Sequence, residues 1–191
     1  MTNWTIADIP TQSGKLAIVA GSTGGLGFET ALVLAQTEAE VLLTGRNDAK
    51  GRDAVAKIRS QIPGAKISYE TLDLASLASV TNFAKRFAAG HSSLDLLINN
   101  AGVMALPTRQ TTVDGFEMQF GTNYLGHYAL TAQLLPLLSR RAPDCFYSLQ
   151  RSAMRTSLFA VEGLQPVETR DAHVRARTAA PERRGGLEFD E

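Results

Sequence analysis

The sequence predicts an α/β protein built on a doubly wound parallel sheet, and three observations predict it. Short apolar runs without charge recur along the chain, amphipathic stretches at helical spacing separate them, and glycine- or asparagine-rich turns close them. Uncharged apolar runs suit strands covered on both faces, and their alternation with helices calls for right-handed crossovers between parallel neighbours.

Residues 16–20 (Leu-Ala-Ile-Val-Ala) form the first strand. They run into Gly21-Ser22-Thr23-Gly24-Gly25-Leu26-Gly27, and residues 28–35 continue as a helix. Glycines at this junction let the backbone turn tightly and approach a ligand closely, while the first helical turn offers free N–H groups and a positive dipole end. Strand, glycine turn and helix in this order point to a phosphate cradle; the bland alternative is a bend that binds nothing. Gly21, Ser22, Gly25, Leu26 and Gly27 are its candidate residues. Residues 41–44 give a second strand ended by Gly45. Asn47 or Asp48 caps the next helix, in which Ala54, Val55, Ile58 and Ile62 recur at helical spacing until Pro63-Gly64 stops it. Residues 66–71 alternate polar and apolar, as a strand nearer the sheet edge does. Residues 76–88 are amphipathic through Leu77, Val80, Phe83, Ala84 and Phe87. Residues 94–98 supply a fourth strand leading into Asn99-Asn100-Ala101-Gly102. A long helix then spans residues 115–138, with Phe116, Phe120, Tyr124, Tyr128, Leu134 or Leu135, and Leu138 as its inward stripe.

The 191 residues suit one domain with a single core. With 44% hydrophobic and 20% charged residues the chain reads as soluble and globular. Nineteen basic and nineteen acidic side chains give zero net charge, so no global attraction to nucleic acid or anionic membrane is expected. The single cysteine, Cys145, excludes an intrachain disulfide and a cysteine-cluster metal site, and His91, His127 and His173 form no helical metal pair. No metal is expected. No run approaches membrane-spanning length and residues 1–10 lack a signal-peptide core, so the expected compartment is the cytoplasm.

The character changes after residue 139. The last isoleucine is Ile98 and the last lysine Lys85, while Arg140 to the end holds nine arginines and no lysine. Residues 145–149 make a poor fifth strand, and 162–177 show no sustained period, as a solvated or disordered segment would. The chain divides into a nucleotide-binding part, 1–139, and an atypical arginine-rich tail, 140–191. The sheet is accordingly expected to be incomplete in its C-terminal half.

Arg46 lies nineteen residues beyond Gly27 at the end of the second strand. An acidic side chain there would bind the ribose 2′-hydroxyl of NAD, whereas arginine suits a 2′-phosphate, and no aspartate or glutamate occurs between Val41 and Asn47. NADP is therefore expected over NAD; a plain surface arginine is the alternative. Asp73, at the end of the third strand, is placed either to accept from an adenine amino group or to cap the following helix. Asn123 lies within the long helix, where asparagine is disfavoured. His127 reads as a helix-surface histidine.

These motifs resemble the short-chain dehydrogenase/reductase family over roughly residues 15–138. They comprise Gly21-x-x-x-Gly25-x-Gly27, Asp73-Leu74, Asn99-Asn100-Ala101-Gly102, and the run from Asp114-Gly115-Phe116 to Asn123-Tyr124-Leu125-Gly126-His127-Tyr128. The last run looks like the branch of retinol dehydrogenases, protochlorophyllide reductases and WW-domain oxidoreductases. The resemblance implies a Rossmann sheet and hydride transfer between nicotinamide and a small carbonyl or alcohol substrate. It adds Leu74, Asn100, Ala101 and Gly102 to the cofactor-binding residues, and gives Asn123 a catalytic role in a proton relay with a lysine. Two departures stand out. Ala20 occupies a position where the family has threonine. The sequence also contains no Tyr-x-x-x-Lys, and Tyr147-x-x-x-Arg151 mimics only its spacing, because arginine relays a proton poorly. An NADP-dependent oxidoreductase and a binding-only or inactive nucleotide-holding protein are thus the two readings. A family-type homo-oligomer is not expected, since the helix completing that interface has no counterpart here.

Overall fold

A computed structural model describes residues 5–140. The expected tail, residues 141–191, and with it Cys145, Tyr147 and Arg151, lies outside the described residues. A 3-10 turn, Ile6–Asp8, precedes β1 (Leu16–Ala20), α1 (Gly25–Gln36), β2 (Glu40–Gly45), α2 (Asp48–Gln61), β3 (Ile67–Thr71), α3 (Leu77–Gly90) and β4 (Leu96–Asn99). A short helical turn, α4 (Met118–Phe120), then passes through a π-helical stretch (Gly121–Gly126) into α5 (His127–Leu138).

The four strands are parallel in the order β3-β2-β1-β4. From β1 the chain steps outward to β2 and β3, then returns to place β4 on the other side of β1. In open parallel sheets this reversal opens a crevice at the carboxyl ends of the strands. Alternation along β1 feeds two cores. Ile18 and Ala20 face α3 and α5 with Phe83, Phe87, Leu130 and Leu134, whereas Ala17 and Val19 face α1 and α2 with Ala31, Ala35, Ala54 and Ile58. This is the doubly wound arrangement read from the sequence. Phe83 and Phe87 are completely buried, each contributing about 1.5–3 kcal/mol of apolar transfer.

The caps are local and explicit. Asn47 caps α2, its side chain accepting from the Lys50 N–H, and Ser76 caps α3, accepting from the Ser79 N–H. Asp73 is therefore not the cap of α3. Glu117 caps α4 by accepting from the Gln119 and Phe120 N–H groups, and these two donors hold its carboxyl below the usual carboxylate value.

The final helix departs from expectation. It begins at Met118, and the aromatic stripe faces outward: Phe116 is 39% exposed, Phe120 52%, Tyr124 44% and Tyr128 61%. The buried face carries Gly121, Thr122, Gly126, His127, Leu130, Leu134, Leu137 and Leu138. Glycine sets the facing. A Cβ on Gly126 would collide with the Leu74 backbone carbonyl, and one on Gly121 with the Thr112 side chain, so only this face can seat so closely. Of Leu134 and Leu135, Leu134 is the buried one. His127 is likewise buried, 6% exposed, and not a surface histidine.

Candidate functional site

A cavity of about 320 Å³ opens at the carboxyl ends of the strands, between the glycine turn after β1 and the loop after β4. Sites for small molecules occupy ~300–1,000 Å³ and favour this switch point. From the glycine turn it is lined by Gly21, Thr23, Gly24, Leu26 and Gly27. The end of β2 adds Thr44, Gly45 and Arg46, and the segment after β3 adds Leu72, Asp73 and Leu74. Asn100, Ala101, Gly102 and Val103 close the opposite side, with Thr122 from the helix.

The turn is shaped by close approach. Gly21 has φ +71°, and a Cβ there would lie 2.6 Å from the Ala101 Cβ. A Cβ on Gly27 would collide with the Asn100 side-chain amide and the Gly21 carbonyl. Asn100 Nδ2 donates to the Ala20 and Gly21 carbonyls at 3.1 and 3.0 Å, strapping the two loops together. Ser22 is spent internally. Its hydroxyl donates to the Val19 carbonyl at 2.8 Å and accepts from the Thr44 N–H at 3.0 Å, and its own N–H donates to the Thr44 carbonyl. It is fully buried, and neither it nor Gly25 lines the cavity. Ser22 and Asn100 thus supply the bracing that Ala20, lacking a hydroxyl, does not. Gly24 is the opposite case: a Cβ there meets nothing within 4 Å.

Such a cradle fits a dinucleotide phosphate. The first turn of α1 presents N–H groups that have no intrahelical partner, beside glycines that leave the approach clear. Arg46 is exposed at the rim of the same cavity, where β2 ends. Asp73 Oδ1 accepts from the Ala75 N–H at 2.9 Å and the Asp73 N–H donates to Ser79 Oγ at 3.0 Å, so the carboxylate is fixed at the cavity wall by its own turn. Leu74 reaches the cavity edge while packing in the core.

Asn123 does not line the cavity. Its Oδ1 accepts from the Val103 N–H and its Nδ2 donates to the Val103 carbonyl, both at 2.8 Å. One turn later, His127 Nε2 lies 2.7 Å from the Ala101 carbonyl and Nδ1 lies 3.1 Å from Asn99 Oδ1. Asn99 Nδ2 in turn meets Thr131 Oγ1 at 3.1 Å. Burial pushes the His127 imidazole below its ordinary value, against a smaller upward pull from the Ala101 carbonyl, so the ring is neutral near pH 7.

The short chain dehydrogenase family model matches residues 15–143. The chain belongs to that family. A polyprenol dehydrogenase of Danio rerio is 44% identical over 138 residues, covering 72% of this chain and 42% of the relative. Retinol dehydrogenase 13 of Mus musculus is 43% identical over 143 residues, covering 75% and 42%. Among solved structures, the RhlG/NADP active-site complex of Pseudomonas aeruginosa matches with a TM-score of 0.61 at 26% identity, over 73% of this chain and 55% of that one. The chain thus spans less than half the length of these curated relatives. The matched part of the short chain dehydrogenase fold is the part that carries the cavity.

Sequence reasoning located Gly21, Leu26, Gly27, Arg46, Asp73, Leu74, Asn100, Ala101 and Gly102 at the cavity. It missed Thr23, Gly24, Thr44, Gly45, Leu72, Val103 and Thr122. Thr23 and Gly24 lay inside the motif and were findable. Thr122 and Val103 carry no local signal, because the fold alone brings them in.

Proposed function

We propose that this chain binds NADP(H) in the cavity between the glycine turn and the 100–103 loop, as the nucleotide-binding part of an oxidoreductase acting on a carbonyl or alcohol. The observation that carries the reading is Arg46 at the rim of the same cavity as the glycine turn. The RhlG complex with NADP, a structural relative, supports it. In this reading the first turn of α1 holds the pyrophosphate and Arg46 pairs with the 2′-phosphate. Asp73 accepts from the adenine amino group, and the 100–103 loop flanks the ribose. When bound, the nicotinamide supplies the hydride donor or acceptor. The chain's own contribution is to bind and orient it. Asn123 positions the loop through Val103, and no step of proton transfer is assigned to it, because no lysine follows Lys85.

That same absence favours a second reading, nucleotide binding without turnover, since the 191 residues hold no Tyr-x-x-x-Lys. The polyprenol and retinol dehydrogenase relatives and the Asn123–Tyr128 run favour a branch acting on isoprenoid alcohols or aldehydes. Titrating NADPH and NADH into the wild-type chain and Arg46→Ala tests the cofactor assignment. Wild type should favour NADPH, and Arg46→Ala should lose about 1.5–3 kcal/mol for NADPH alone, roughly ten- to hundredfold. Equal affinities for both nucleotides in wild type would end it. NADPH oxidation with retinal or a polyprenal decides between the two functional readings: turnover above background supports the enzyme, and binding without turnover supports the second reading.

A further inference from the structure

We propose that His127 is a positioning residue for the nucleotide-binding loop, holding the Ala101 peptide in place as the second rung of a ladder whose first rung is Asn123. The inference rests on the cavity being an NADP(H) site.

The ladder matches two repeats. Asn123 and His127, four apart, bond Val103 and Ala101, two apart, with the loop running against the helix direction. The π-helical stretch Gly121–Gly126 ends where His127 begins. Its wider turn brings side chains four apart closer to one line than an α-turn does. Gly126 lets the helix sit low enough for the imidazole to reach, since a Cβ there would strike the Leu74 carbonyl. Gly102 is left between the rungs with its backbone at the cavity wall. The clamp reaches the glycine turn too, because Gly21 packs directly on Ala101.

The ring's proton is assigned by chemistry. A carbonyl only accepts, so a neutral ring must place its N–H on Nε2, facing Ala101 at 2.7 Å. Nδ1 is then an acceptor. A half-turn of the Asn99 amide presents its NH2 to Nδ1 and its oxygen to the Thr131 hydroxyl, so every group in the buried row is satisfied. Asn99 and Thr131 thereby fix the tautomer, and the tautomer fixes the loop.

Two substitutions separate the two nitrogens. The amide nitrogen of glutamine can replace Nε2 and keep the Ala101 bond, whereas asparagine, one carbon shorter, can keep only the Asn99 side. NADPH affinity and thermal melting would be measured for the full chain, His127→Gln and His127→Asn, with the wild-type imidazole read by 15N NMR. We expect His127→Gln to bind NADPH within roughly threefold of wild type and His127→Asn to bind about tenfold more weakly or worse. The NMR should show a protonated Nε2 and a bare Nδ1. Equal nucleotide affinity in the two variants, or a protonated Nδ1 in wild type, would overturn the proposal. Failure of wild type to bind NADPH at all would instead refute the cofactor assignment, and the 15N spectrum would still judge the clamp where a variant fails to fold.

Discussion

Glycines in one turn do different work, and substitution should separate them. Gly24 is extended, with φ 177°, and its Cβ direction is open, so Gly24→Val should fold with a melting temperature near that of wild type. In the proposed cofactor pose its side chain then stands in the phosphate approach, and NADPH affinity should fall at least tenfold, as about 1.4 kcal/mol of lost contact implies. Gly21→Val and Gly27→Val meet Ala101 and Asn100 directly and should destabilise the fold itself. Calorimetric melts beside NADPH titrations check both halves, and a Gly24→Val protein that binds normally would remove phosphate from this turn. His127 gives a residue-scale prediction in pH. The unfolded imidazole protonates near its ordinary 6.5, whereas burial holds the folded ring lower. The unfolded chain therefore binds more protons as pH falls. The stability contributed by keeping this ring neutral is fully present above 6.5 and is lost as pH drops through the folded value. Urea denaturation between about pH 8 and about pH 5 should show this loss in wild type and less of it in His127→Gln. Identical pH slopes in the two proteins would contradict the assignment.

Elements differed in how legible they were, and the reason is local. β1, β2 and β4 were readable because each is a compact apolar run closed by a turn residue, and β3 by its polar–apolar alternation. α2 was readable because Asn47 sits where a cap must, and α3 because Leu77, Val80, Phe83, Ala84 and Phe87 recur at helical spacing. The helix after residue 117 was misread. Its largest apolar side chains repeat every four residues at Phe116, Phe120, Tyr124 and Tyr128, which looks like a core stripe. Close seating selected the glycine face two positions away, and a π-helical stretch broke the period on which the stripe argument rests. Hydrophobic pattern ranks side chains by transfer energy, and here the limiting quantity was backbone-to-backbone distance. The corrected facing predicts that Phe120→Ala and Tyr128→Ala each change stability by less than about 0.5 kcal/mol, as exposed positions do. Leu134→Ala should cost about 2–5 kcal/mol. Denaturant midpoints for the three variants check this, and a Phe120→Ala loss as large as that of Leu134→Ala would restore the inward stripe.

Across the whole molecule, chain order decides where chemistry gathers. Because β4 returns beside β1, the glycine turn and the 100–103 loop end on the same rim although they lie some eighty residues apart. The glycine turn, Arg46 and Asp73 were legible as candidate site residues because each is a characteristic chemical group at a strand end, and the fold brings them to one cavity. The inward role of Ser22, read as a cradle residue, was not legible, since nothing local tells that its hydroxyl turns to Val19 and Thr44. His127 hid for a related reason: only the assembled fold brings it against Asn99 and Ala101. Among the described residues no helix is long and apolar enough to cross a membrane, and no metal-binding cluster is present. The proposed function places the chemical centre of the described fold in the cavity between the glycine turn and the 100–103 loop. Mapping backbone amide shifts by 1H–15N NMR as NADPH is added tests that claim most directly. The account predicts perturbations concentrated in residues 21–27, 44–46, 72–74 and 100–103, with the outer face of β3 and α2 unchanged. Shifts centred elsewhere, or none at saturating NADPH, would contradict it.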